Sequence, residues 1–199
     1  SPFIDVRFVA EHLTGVVSAS GIAGWAGIKG AYMPTDDRVL GVRGIPQALG
    51  IPRNRYLAIQ QDLFSYAQDR GLPLLYHVNL SEHFDWMCEM LVSYPRLRIC
   101  IAHLGYSLRR MDALLQRFKN TYTDPAYLIA LLKKNNPRYC SFFQTHHTRI
   151  LLGSDAVIVS NPIEEILSYA HYFNTLALEE GMRQRILRLN ARGFLAPPD

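Results

Sequence analysis

The sequence has few features suited to cross-linking, membrane insertion or nucleic-acid binding. Its 199 residues include three cysteines, Cys88, Cys100 and Cys140. They are odd in number, widely spaced and without a CxxC pair. This excludes a disulfide framework and points to a reducing compartment. Cys100 lies inside an apolar run and reads as a core thiol. No apolar stretch is long enough to cross a membrane, and the first residues lack a charged-then-apolar signal pattern. The expectation is a soluble, cytoplasmic protein with no membrane partner. A basic tract is also missing. The formal charge is only +4, with basic residues scattered over Arg109-Arg110, Lys133-Lys134 and Arg183 to Arg192. These read as solvated helix faces, so no nucleic-acid partner is expected. A shallow basic field favouring anionic substrates is the other reading. There is no low-complexity tract, linker or internal repeat, and residues 1–199 read as one domain. With 49% hydrophobic and 19% charged residues, the composition is globular.

Three apolar runs each end in a residue that binds metals or moves protons. They are Leu72 to His77, Leu97 to His103 and Arg149 to Asp155. Short apolar runs bounded by turn residues read as buried parallel strands. Polar groups at the carboxyl ends of such strands sit where α/β folds place their ligands. From His77 to His103 is 26 residues, and from His103 to Asp155 is 52, twice that. One strand–helix unit takes roughly 25–30 residues. The three groups therefore crown strands one unit and then two units apart.

Six strands are predicted, over 4–9, 24–29, 73–77, 98–103, 121–124 and 150–154. Glu11 to Ser20 reads as a short helix. Residues 31–55, punctuated by glycine and proline, read as a long excursion of the kind that forms lids or pocket walls. Helical spacing marks Arg55 to Arg70, a helix capped by Ser81, Leu108 to Phe118, Ala126 to Asn135, Ile163 to Phe173 behind Asn161-Pro162, and Leu176 to Leu195. Tyr56, Tyr66, Phe64 and Phe84 fall on core faces. Trp25 and Tyr32 are candidates for a pocket wall. Alternating strands and helices mark a parallel α/β fold.

Gly27-Ile28-Lys29, Leu72 to His77, Ile101 to Gly105, Thr123-Asp124, Leu152 to Asp155 and Leu189 to Arg192 stand in the order seen in the amidohydrolase superfamily. The chain most resembles its amidohydrolase-related branch of TIM-barrel, metal-dependent hydrolases, over residues 20–196. The resemblance implies a (β/α)₈ barrel. His77 on strand 5 and Asp155 on strand 8 would bind a metal. His103 on strand 6 would bind a second metal or act as acid/base. Lys29 on strand 4 would contact substrate or, carbamylated, bridge two metals. The family's strand-1 His-x-His is not found: Arg7 and Val9 stand where histidines would be, and residues 3–9 fit strand 3 or a late part of strand 2. An eight-unit barrel typically needs about 250 residues. The expectation is thus an incomplete barrel of about six βα units, lacking the first one or two. Such a barrel exposes strand edges, which favours homo-oligomers.

Each residue also has a plain structural reading. His77 and His103 can be buried imidazoles satisfied by carbonyls, Asp155 and Asp124 helix caps, and Lys29 a surface lysine. The set and its spacing favour a site. His146-His147 does not read as a metal pair, since neighbours on an extended segment point apart. His83 and His171 read as surface or packing residues. The expected chemistry is metal-dependent hydrolysis of an amide, lactone or ester of a small substrate. One divalent metal, Zn²⁺ or Mn²⁺, would sit at His77 and Asp155 and lower the pKa of bound water to about 7. Asp155 would be the general base, His103 would polarise the carbonyl or shuttle a proton, and Lys29 would pair with a substrate carboxylate. Two alternatives stand beside it. One is non-oxidative decarboxylation of an aromatic acid on the same scaffold. The other is a non-catalytic relative that lost its metal and serves as a binding protein.

Overall fold

A computed structural model describes residues 3–5, 27–37 and 41–196. Five strands form one sheet: β1 (Phe3–Asp5), β2 (Gly27–Tyr32), β3 (Leu74–Val78), β4 (Ile99–Ile101) and β5 (Thr121–Thr123). Every pairing is parallel and the order is β1-β2-β3-β4-β5. Each strand thus lies beside its neighbour in sequence. A doubly wound sheet reverses direction part-way, whereas a barrel wall keeps winding one way. The predicted sixth strand, 150–154, is corrected to a single parallel bridge between Thr123 and Ile150. Two backbone bonds flank it, Thr123 N to Arg149 O at 3.1 Å and Leu151 N to Thr123 O at 2.9 Å. The predicted 24–29 strand moves toward the carboxyl end, and the 98–103 strand shortens to three residues. The expected helix 11–20, Trp25 and residues 6–9 lie outside the described residues.

The helices are α1 (Ile45–Leu49), α2 (Arg53–Asp69), α3 (Leu80–Ser93), α4 (Leu108–Arg117), α5 (Ile129–Lys134), α6 (Asn136–His146), α7 (Pro162–Thr175), α8 (Glu180–Gln184) and α9 (Asn190–Leu195). A π-helical turn, Arg185–Leu189, joins the last two. Helix α6 lies between the predicted helix 126–135 and the predicted strand at 150, where no element is expected from sequence. Pro137 sits in the first helical turn, where its missing N–H costs nothing. The cap of α3 is Asn79, whose side chain accepts from Ser81 N, and not Ser81 itself. Asn161 caps α7 as expected, accepting from Glu164 N. No helix among the described residues is long and apolar enough to cross a membrane.

Side chains alternate along each strand, so the sheet has two distinct faces. Ile28, Leu74, Tyr76, Ile99, Ile101 and Ile150 face the helices and join the main core with Tyr56, Phe64 and Tyr66. Phe64 meets Tyr76 edge-on at 5.0 Å, and Tyr32 stacks on Trp86 at 3.5 Å. Tyr32 is therefore core between β2 and α3, and not a pocket wall. Gly30 belongs to this face too: a Cβ there would lie 2.7 Å from Leu63 Cδ2. Its small size admits α2. The opposite face carries a smaller cluster of Cys100, Leu151 and Phe194, with Leu75, Tyr122 and Leu195 against it.

Phe194 reaches that face because Arg98 holds the last helix. The Arg98 guanidinium donates to Phe194 O at 3.0 Å, to Gly71 O at 2.8 Å and to Gly193 and Ala196 carbonyls. These groups lie at the amino ends of β3 and β4, where two clefts also open, one along Arg96–Arg98 and one along Arg117–Thr121. Both clefts lie away from His77 and His103. Replacing Arg98 with Met should cost about 2–3 kcal/mol, because bonds from a charged donor are lost and carbonyls are stranded. Amide hydrogen exchange should accelerate across 190–196 first, with β3 still protected.

Candidate functional site

His77 and Lys29 lie on the same face of the sheet but at different depths. In register, His77 pairs with Ala31 and Lys29 with Leu75. Lys29 therefore sits two residues below His77, roughly 6–7 Å along the strand. It is a half-buried mid-strand residue, and the prediction that it ends its strand is corrected.

His103 stands just past β4, where the backbone does something unusual. His103, Leu104, Gly105 and Tyr106 all have positive φ, at 57°, 51°, 57° and 56°. Single non-glycine residues visit this region rarely, and each costs about 1–2 kcal/mol. A run of four is one turn of left-handed helix, and it persists only if its surroundings over-determine it. The Asp124 carboxylate supplies that constraint. Its Oδ1 accepts from His103 N at 3.1 Å and Ala126 N at 3.0 Å, and its Oδ2 accepts from Cys100 Sγ at 3.6 Å. Leu104 N adds a bond to Asp124 O at 2.8 Å. Asp124 thus turns the chain after β5, as a cap would, and also fixes the turn after β4. Gly153 lets the last strand segment approach, since a Cβ there would lie 3.2 Å from the Asp124 side chain. Gly105 is required on the far side, where a Cβ would fall 2.3 Å from Leu80 Cδ1. Burial, aided by the Asp124 charge, pushes the Cys100 thiol well up, so it is an inert donor.

The turn brings three rings together. His77 and His103 lie 5.2 Å apart, His77 and Tyr106 5.6 Å, and His103 and Tyr106 5.3 Å between centroids. Both histidines are buried. His103 Nδ1 lies 2.9 Å from Ala126 O. A carbonyl only accepts, so Nδ1 carries the hydrogen and Nε2 is left for chemistry. His77 Nε2 lies 3.9 Å from Asp37 Oδ2, and Asp37 is buried. Asp155 has φ 54° and precedes a 3-10 turn, Ala156–Ile158, without a side-chain cap bond. Asp37, Asp155 and Asp124 all act electrostatically on the Tyr106 hydroxyl. Asp155 thus lies within electrostatic range of Tyr106.

Asp37 and Tyr106 were missed from sequence. Asp37 falls in the excursion 31–55, pinned by an antiparallel bridge to Val42. Tyr106 follows the His-Leu-Gly motif but carries no signal of its own without the left-handed turn. His83, read as a surface or packing residue, is half-buried in a kink of α3 with its ring 5.0 Å from Tyr32. Burial lowers its pKa; the Glu82 and Asp37 carboxylates pull the other way, and Arg53 adds to the lowering. His146 is a packing residue: its Nε2 pairs with Asp112 Oδ1 at 2.6 Å, inside a helix and not an extended segment.

The donor chemistry of His77 and Asp155 suits a divalent metal. However, among the described residues no three His, Cys, Asp or Glu side chains are grouped to hold one. Catalytic metal sites use about three protein ligands. The described residues therefore fall short of a complete metal centre.

The amidohydrolase family model, Amidohydro_2, matches residues 27–196. The chain belongs to this amidohydrolase family. The matched span contains every site residue named above. Solved TIM-barrel structures share the fold. An uncharacterized TIM-barrel protein of Bordetella bronchiseptica superposes with a TM-score of 0.62 at 18% identity, covering 92% of this chain and 60% of its own. A 2,6-dihydroxybenzoate decarboxylase from Rhizobium gives 0.57 at 16% identity, covering 94% and 66%. A dihydroxybenzoic acid decarboxylase from a Polaromonas species, solved with manganese and the inhibitor 2-nitroresorcinol, gives 0.56 at 14% identity, covering 94% and 64%. No curated protein sequence matches the chain. The chain thus spans about three fifths of the length of the first of these structures. With the parallel strand order, these likenesses make the sheet part of a (β/α) barrel wall, as expected from sequence.

Two substitutions test the turn that aims His103. Gly105→Ala should destabilise by about 2 kcal/mol or more, since the new methyl meets Leu80 at a left-handed position. Asp124→Ala should cost about 3 kcal/mol by stranding two buried amides. Urea denaturation measures both.

Proposed function

We propose that this amidohydrolase-family chain forms part of an enzyme site for a small carboxylate-bearing molecule, with His103 as the proton-transferring group. The observation that carries this reading is the fixed tautomer of His103. Its Nδ1 hydrogen is committed to Ala126 O, which leaves Nε2 available on a ring that packs against His77 and Tyr106. A buried imidazole held this way, with a free second nitrogen, is arranged for general acid–base work.

Non-oxidative decarboxylation of an aromatic acid is the first reading, supported by the likeness to the two dihydroxybenzoate decarboxylases. In that reaction the ring–carboxylate bond breaks and CO₂ leaves. The electron pair stays on the ring carbon, which takes a proton from protonated His103. Hydrolysis of an amide, lactone or ester is the second reading, supported by the family description and by the Asp155 carboxylate, which acts electrostatically on Tyr106. There Asp155 accepts the proton of the attacking water and His103 protonates the leaving group. Lys29, lower on the same face, would meet a substrate carboxylate only if the substrate reaches that depth. A divalent cation, Zn²⁺ or Mn²⁺, bound through His77 and Asp155 would supply Lewis acidity when present.

Incubation with 2,6-dihydroxybenzoate and Mn²⁺ or Zn²⁺, followed by CO₂ release, tests the first reading. His103→Asn should reduce turnover by about 10²–10⁴-fold with the fold intact. Turnover of a lactone or amide panel, without CO₂ release, selects the second reading. Metal analysis should show that His77→Ala with Asp155→Ala lowers bound metal. No turnover of either class, with no metal in wild type, would overturn both and favour a binding protein.

A further inference from the structure

Tyr106 is buried at its oxygen and has no use in the fold. Among the described residues the hydroxyl has no hydrogen-bond partner, although its ring packs against both histidines. Most buried tyrosines here use their oxygens. Tyr56 donates to Ala31 O, Tyr169 to Pro125 O and Tyr172 to Asn136, all at 2.9 Å. A buried donor left unpaired opposes folding, so such a group calls for an explanation at a site.

The backbone explains why it points where it does. In a tight helix of three residues per turn, side chains at i and i+3 eclipse. The left-handed turn through His103 to Tyr106 has that spacing, so the two rings leave the same side of it. Tyr106 therefore travels with His103, and both stand against His77. Burial first, then the Asp37, Asp155 and Asp124 carboxylates, keep the phenol protonated. A protonated phenol is a donor, and no acceptor among the described residues meets it.

We propose that Tyr106 anchors the bound molecule: its hydroxyl donates to a carboxylate or carbonyl oxygen and holds that molecule beside the His103 imidazole. This rests on the site reading above and adds a residue that touches the substrate directly. The fold does not need this hydroxyl, so removing it has opposite effects on folding and on binding.

The test is benzoate binding by this 199-residue chain, measured by calorimetry for wild type, Tyr106→Phe and His77→Ala, alongside urea denaturation. Tyr106→Phe is expected to weaken benzoate binding about tenfold or more while stability is unchanged or raised. Equal benzoate affinity in wild type and Tyr106→Phe would overturn the anchoring role, and so would a loss of stability matching the loss of binding. If benzoate binds wild type and His77→Ala equally, but Tyr106→Phe weakly, the anchor stands and the placement of the site at His77 falls. If wild type does not bind benzoate, both fall.

Discussion

The Asp124 carboxylate is the constraint on which the site depends. It accepts from two backbone amides on different loops and from the Cys100 thiol between them. Four consecutive left-handed residues are costly, and no local preference of His103, Leu104 or Tyr106 favours them. Charge-assisted bonds to buried amides are among the stronger ones available to offset that cost. Leu80, packed over Gly105, closes the other side. Remove either support and the turn can relax, taking the aim of two rings with it.

The sheet divides its work between its faces. One face is apolar and locked onto helices, with tyrosine hydroxyls stapling loops to strands. Tyr56 bridges the end of β2, accepting from Met33 N and donating to Ala31 O. Tyr169 does the same after β5, between Leu128 N and Pro125 O. The other face carries the smaller Cys100, Leu151 and Phe194 cluster together with Lys29 and His77. Rigidity on the first face lets polar groups on the second stay buried in fixed positions. That is the condition for a site whose groups must not reorganise during reaction.

The two proposed reactions, decarboxylation and hydrolysis, have different leaving groups but assign proton transfer to the same residue, His103. Both need an imidazole with one nitrogen committed and one available. They differ in whether the proton goes to a ring carbon or to a departing nitrogen or oxygen.

The sequence by itself determined the strand–helix rhythm, the parallel class and the strand-end positions of His77 and His103. Apolar runs and their 26-residue spacing carry that information, because burial on two faces demands it. It also marked the helical cores of α2, α3, α4 and α7 through their periodicity. Other features were decided only in three dimensions. The sixth strand shrank to one bridge at Ile150, and Lys29 moved from a strand end to mid-strand because register, not motif, sets depth. Asp37 and Tyr106 have no local signature. Asp37 is brought in by a loop bridge, and Tyr106 by a left-handed turn that the distant Asp124 enforces. Such a turn runs against local preference, so only long-range hydrogen bonds and packing could select it.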